Sequence, residues 1–268
     1  MMEKIIESFD YKIYTKVEGN GNPILLLHSL WGDSSLFDNI VEKLSARHEV
    51  IRIDFPGHGN SAIPIRNFTF KEFSFVLNDI FGELGIVEKI CLMGHSMGGF
   101  AALAFAKEQK EKVSSMVLMH TLIGSADHKS IKLRERQARL IIHNKKELLL
   151  QVTNPSNFAL GNDKRFPNEF DQLNKTAEKV VNEGVLAGIK AINTREDSMS
   201  FLAKSGIPLL SVVGKQDQVY NVEDQLSECS RITEAELLLL QNSGHLSFIE
   251  EEALFVSGVA NFLDSVKW

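Results

Sequence analysis

The sequence predicts an α/β protein: a mostly parallel, eight-stranded sheet with helices on both faces and a helical insertion before its last third. Short apolar runs alternate with longer amphipathic stretches along most of the chain, the rhythm of a parallel sheet covered on both sides. Between residues 123 and 195 helical spacing continues without a strong strand, and afterwards the alternation resumes. The chain has 268 residues, 44% of them hydrophobic, and so is long enough to close a sizeable core.

The elements follow in order. IIESF and KIYTKV are short strand-like stretches, and PILLLH (23–28) is a continuous apolar run of the kind buried on both faces. SLFDNIVEKLSAR is amphipathic, HEVIRIDF is strand-like, and FTFKEFSFVLNDIFGEL is helical. KICLMG then leads into a helix over 97–109, and VSSMVLMH (113–120) is the next strand. IKLRERQARLIIH and the segment around 170–192 are helical stretches of the insertion. IPLLSVVG (207–214), a helix near 221–230, AELLLLQ (235–241) and a helix over 249–266 complete the chain. Residues 1–122 and 196–268 are therefore expected to build one core, interrupted by a helical lid over 123–195.

Charge and composition narrow the function. A net charge of −6 argues against nucleic acid, whose binding proteins present basic surfaces to phosphates. The charge is uneven: residues 125–195 carry thirteen Lys and Arg against eight Asp and Glu, which leaves the rest of the chain at −11. A solvated helical surface explains such a run, and a basic cover over a binding cleft is the functional alternative. The second reading leads to an expected preference for small acidic or neutral acyl substrates over cationic ones. The two cysteines, Cys91 and Cys229, lie far apart in sequence, and neither a leader-like apolar segment nor a membrane-length span is present. A cytoplasmic monomer or homodimer is expected. No C-x-x-C, H-E-x-x-H, P-loop or helix-opening G-x-G-x-x-G occurs, so neither metal nor cofactor is expected.

The chemistry-bearing stretch is MGHSMGGF (93–100), which places Ser96 in G-x-S-x-G between a strand and a helix. A serine presented at such a turn has a strained backbone, and side chains two residues to either side would collide, hence Gly94 and Gly98. A serine hydroxyl needs a base, and that base needs an orienting carboxylate. His245, in NSGHLSFIEE, follows one late apolar run, and Asp217, in GKQDQV, follows another. Asp197 and Asp224 compete for the carboxylate role, but neither directly follows a core strand. His28 and His58 lie in early loops, His95 adjoins the serine, and His128 and His143 fall in the insertion.

On these stretches the sequence resembles the α/β-hydrolase superfamily, in its lid-bearing serine esterase and lactonase-like branch, over nearly the whole chain. HSLWGDSSLF (28–37) is similar to the family's HG-x-x-G-type oxyanion loop, and DFPGHGNS (54–61) to its D-x-x-G-x-G-x-S segment. The resemblance implies an α/β-hydrolase fold and a Ser96–Asp217–His245 triad, with the backbone N–H groups of Leu30 and Met97 holding an oxyanion. Ser29 stands where the family usually has glycine. Dehalogenase and epoxide-hydrolase relatives carry Asp at the position of Ser96, so those chemistries are set aside. The expected reaction is cleavage of a small carboxylic ester, thioester or lactone through an acyl-enzyme. The alternatives are a carbon–carbon bond hydrolase or perhydrolase using the same triad, and a ligand-binding or signalling protein with slow turnover. Ser29, Trp31, His120 and Phe158 are the expected substrate contacts, and Phe166 is a further candidate wall.

Overall fold

The strands are β1 (Met2–Ser8), β2 (Tyr11–Glu18), β3 (Asn22–Leu27), β4 (His48–Ile53), β5 (Ile90–His95), β6 (Val113–Met119), β7 (Leu209–Gly214) and β8 (Ala235–Leu240). They form one sheet in the order β1-β2-β4-β3-β5-β6-β7-β8. β1 and β2 pair antiparallel, as do β2 and β4, and from β4 to β8 all pairing is parallel. The structure, a computed structural model, describes residues 1–64 and 67–268.

The continuous apolar runs are strands because both of their faces are covered. In β3, Leu25 and Leu27 join one core while Ile24 and Leu26 join the other, and β6 divides Met116 and Leu118 from Val117 and Met119 in the same way. One face is covered by α2 (Phe70–Leu84) and α3 (Met97–Glu108), the other by α1 (Asp38–Ser45) and the C-terminal helices. α2 shows why these residues start and stop a helix. The Thr69 hydroxyl accepts the Glu72 N–H at 3.1 Å, the Glu72 carboxylate accepts the Thr69 N–H at 2.9 Å, and Gly85 ends the helix at φ +72°.

After β6 come α4 (His128–Ile142), α5 (Lys146–Thr153), α6 (Pro167–Lys179) and α7 (Asn182–Asn193). They dock on the loop after β4 where backbone can approach backbone. A Cβ added at Gly57 would lie 2.6 Å from Gly184 Cα, and one at Gly184 would lie 2.6 Å from Gly57 O. Glu250 makes a second clasp, accepting N–H groups from Ala159 and Gly244 and the Asn162 side-chain amide at 2.7–2.8 Å.

α8 (Met199–Ser205), which the apolar pattern does not announce, leads into β7, and α9 (Val222–Ser230) connects β7 to β8. The expected helix over 249–266 is two helices, α10 (Ser247–Glu250) and α11 (Glu252–Ser265), because Glu251 leaves the helical region at φ −132°. Among the described residues no helix is long and apolar enough to cross a membrane. Cys91 and Cys229 are free and buried, and burial pushes the Cys91 thiol up to about 12.

The chain leaves β3 for β4 on one side and then crosses to β5 on the other, so the strand order reverses between β3 and β5. A crevice at the carboxyl ends of strands is expected at such a reversal.

Candidate active site

Ser96 follows β5 at φ +52°, ψ −111°, a conformation that costs a non-glycine residue about 1–3 kcal/mol and persists only where its surroundings enforce it. Those surroundings are visible. The Ser96 N–H donates to Met119 O at 2.9 Å, and Ser96 O accepts the Gly99 N–H at 3.0 Å and the Thr121 hydroxyl at 3.2 Å. Space is equally limited: a Cβ at Gly94 would lie 2.5 Å from Gly98, and one at Gly98 would lie 2.0 Å from Leu27 O. The flanking glycines are thus fixed by contact with backbone rather than by their own dihedrals.

Asp217 and His245 leave the ends of β7 and β8. His245 Nδ1 donates to Asp217 Oδ2 at 2.9 Å, while Asp217 Oδ1 accepts the N–H groups of Val219 and Tyr220 at 2.8 and 3.1 Å. Burial works to raise the Asp217 carboxyl, but His245 and His120 together hold it well below the usual carboxylate range. The His245 backbone N–H is held by Asn157 O at 2.9 Å, so the loop carrying this ring is tied to the inserted helices. Ser96 and His245 both border one cavity of about 150 Å³. Asp197 instead accepts the Met199 N–H, and Asp224 lies in the first turn of α9, so neither faces His245.

The loop after β3 forms the opposite wall. His28 is fully buried; its Nδ1 donates to Ser29 O at 2.7 Å and its Nε2 accepts the Phe55 N–H at 2.9 Å. Burial pushes it down to about 4, which keeps the ring neutral and able to accept from Phe55. Ser29 O also accepts the Gly32 N–H at 3.1 Å. These bonds fix the planar Ser29–Leu30 peptide and aim the Leu30 N–H the opposite way. His58 Nε2 donates to Leu30 O at 2.7 Å, securing the next peptide. Met97 is the first residue of α3, where an N–H has no carbonyl within its own helix to bond. The side chains of Leu30 and Met97 meet Gly188 of α7, where an added Cβ would lie 2.5 Å from Leu30 Cδ1 and 3.1 Å from Met97 Sδ.

Among the expected substrate contacts, Ser29 and Trp31 line the cavity and two others do not. His120 was expected to point toward the cleft but is fully buried behind Asp217. It takes φ +50°, its Nε2 lies 2.7 Å from Ser247 Oγ, and its Nδ1 lies 3.4 Å from Asp217 Oδ2. Phe158 is likewise fully buried, packed against Phe166 and Phe170 in the core under the insertion, and Phe166 belongs to the same cluster. Their place at the cavity is taken by residues the sequence did not single out, among them Tyr220, Asn157, Leu173 and, from α4, Arg134 and Gln137. The signal for Arg134 was the basic excess of the insertion. His120, Asp217 and His245 could in principle gather a metal ion, but the 2.9 Å His245–Asp217 hydrogen bond already uses the facing atoms.

The chain is 24% identical over 269 residues to Lipase 3 of a Moraxella species, covering 98% of this chain and 84% of that protein. Its fold superposes with a TM-score of 0.91 on a thermophilic esterase from Thermogutta terrifontis, at 22% identity over 98% of this chain and 97% of that one. For the enol-lactonase of Burkholderia xenovorans the TM-score is 0.87, at 22% identity over 95% and 97% of the two chains. Residues 22–252 match the family model described as alpha/beta hydrolase fold. The chain belongs to the α/β-hydrolase fold family.

Proposed function

We propose that the protein is a serine hydrolase that cleaves a carboxylic ester, or a related thioester or lactone, of a small molecule. The observation that carries this reading is the Asp217–His245 hydrogen bond of 2.9 Å behind a ring that borders the same cavity as Ser96. Ser96 Oγ attacks the acyl carbon as His245 Nε2 takes its proton, and Asp217 stabilises the imidazolium through Nδ1. The tetrahedral oxyanion accepts the N–H groups of Leu30 and Met97, where losing one such donor costs about 3–4 kcal/mol. Collapse expels the alcohol, which takes its proton from His245. Water then attacks the acyl-enzyme with His245 again as base, releasing the acid and restoring Ser96.

Residues 123–195 act as the lid of this site, since α4, α6 and α7 each contribute to the cavity wall. The names of the neighbours, a lipase, an esterase and an enol-lactonase, agree with ester and lactone chemistry. The test is labelling with a fluorophosphonate and hydrolysis of p-nitrophenyl butyrate. Wild type should label and turn over, while Ser96→Ala should fail to label and lose about 10⁴-fold or more in kcat. Wild-type protein that neither labels nor hydrolyses any activated ester would defeat the proposal.

A further inference from the structure

We propose that Arg134 is the anion-recognising residue of this cavity, and that the substrate is a small ester or lactone carrying a carboxylate group. The inference rests on the serine-hydrolase reading and names its substrate class. α4 presents Ser130, Leu133, Arg134 and Gln137 to the cavity, positions i, i+3, i+4 and i+7 of a single helical face. Three of these four residues are polar, and Arg134 carries the one fixed charge among them.

Among the described residues that charge has no ion-pair partner. Arg134 Nε donates to Asn193 Oδ1 of α7 at 2.6 Å, but Nη2 is buried with no hydrogen-bond partner among the described residues. Asp127, the carboxylate that acts on it, is engaged in capping α4 through the N–H groups of Lys129 and Ser130 at 2.8 and 2.9 Å. A second guanidinium, Arg195, is near enough to act on Arg134, although it borders another cavity and Glu228 partly offsets its charge. Arg195 lies 4.2 Å over the Phe100 ring and donates to Gly124 O and Ile192 O, both neutral acceptors, at 3.0 Å. Burial lowers the pKa of both arginines, and Arg134 lowers that of Arg195 further. A purely structural bridge between α4 and α7 would need the Nε–H alone. The unpaired Nη2 is a desolvated donor, costly to leave unmade, whose cost a carboxylate oxygen removes through a charge-assisted hydrogen bond.

The dimensions limit the ligand. A cavity of about 150 Å³ fits a short chain with an acyl carbon at Ser96 and an anionic terminus at Arg134. Arg134 takes part only in binding. Its contact with the carboxylate persists from substrate to acyl-enzyme if the charge is on the acyl part, so the effect falls mainly on KM.

The test compares monoethyl glutarate with ethyl valerate, both followed by ethanol release. Wild type should favour monoethyl glutarate in kcat/KM. In Arg134→Gln that preference should fall by about 30-fold, chiefly through KM, and Arg134→Lys should recover part of it. Asn193→Ala, which removes the bridge but keeps the guanidinium, should retain most of the preference. A wild type with no preference, or an Arg134→Gln variant that slows both esters alike, would overturn the proposal. Calorimetric titration of glutarate into Ser96→Ala protein reads the same contact without turnover. Binding there that disappears in the Ser96→Ala/Arg134→Gln double variant supports Arg134 even if the hydrolase reading fails its labelling test. Absence of glutarate binding to the single variant counts against Arg134 and leaves Ser96 untouched.

Discussion

Ser96 and Arg134 face the same cavity but are held in different ways. Ser96 is locked by the backbone of β6, by Thr121 and by glycines with no room for a methyl group. Arg134 projects from α4, a helix with a single buried residue, Ile141, and is anchored by one side-chain hydrogen bond to Asn193. The carboxyl end of the sheet fixes atoms through the main chain, where small displacements are expensive. The helices above fix them through side chains, where one substitution redirects a contact without disturbing the fold. Under the proposed function, reaction and selection would fall on separate parts of the molecule.

The contrast can be broken most directly at Asp217. Asp217→Asn should lower kcat by about 10⁴-fold, because the amide favours the wrong His245 tautomer, and the loss should be similar for charged and neutral esters. A loss confined to anionic esters would merge the two regions. Next in size is a stability comparison between two glycines, read by urea unfolding. Gly98→Ala drives a Cβ to 2.0 Å from Leu27 O and should cost about 3 kcal/mol or more. Gly161→Ala, in the insertion, meets nothing within 4 Å and is strained only by its φ of +83°, so it should cost about 1 kcal/mol. Equal costs would remove the distinction between a rigid base and a tolerant roof.

A further contrast is one of pH. His28 and His58, which hold the loop after β3, are pushed down from 6.5 to about 4, in both cases chiefly by burial. Between those values the unfolded chain binds protons that the folded chain does not, so stability should fall as pH drops from 6.5 toward 4. A Tm profile measures this, and His58→Gln should flatten it. A wild-type Tm that is constant over the range would show that burial of these rings does not couple the loop to protonation.

The strands were legible because a sheet buried on both faces writes its runs in uninterrupted apolar letters, as PILLLH and VSSMVLMH do. The loops bearing Ser96 and Asp217 were legible for the same reason, and His245 follows AELLLLQ, a run that stays apolar although β8 lies at the sheet edge and is only partly buried. Side-chain direction beyond the last strand residue was not. His120 turns under Asp217 because it adopts φ +50°, a choice made by Ser247 and Asp217 rather than by its neighbours in sequence. Phe158 is drawn into the core by the close approach of its backbone to Gly244, where an added Cβ would lie 2.5 Å from Phe158 C. Arg134 stood unremarked in an amphipathic stretch, since which face of α4 looks inward depends on how the helix docks.

The Glu250 clasp bears on how such a protein could be remodelled. One carboxylate receives Gly244, next to His245, together with Ala159 and Asn162 of the insertion. A transplanted cap from another scaffold would have to bring its own amide donors to this acid, or leave a half-buried carboxylate short of partners beside the loop that carries His245. The natural unit of exchange therefore begins after Asn162, and grafts cut at α6 onward would keep the seam intact.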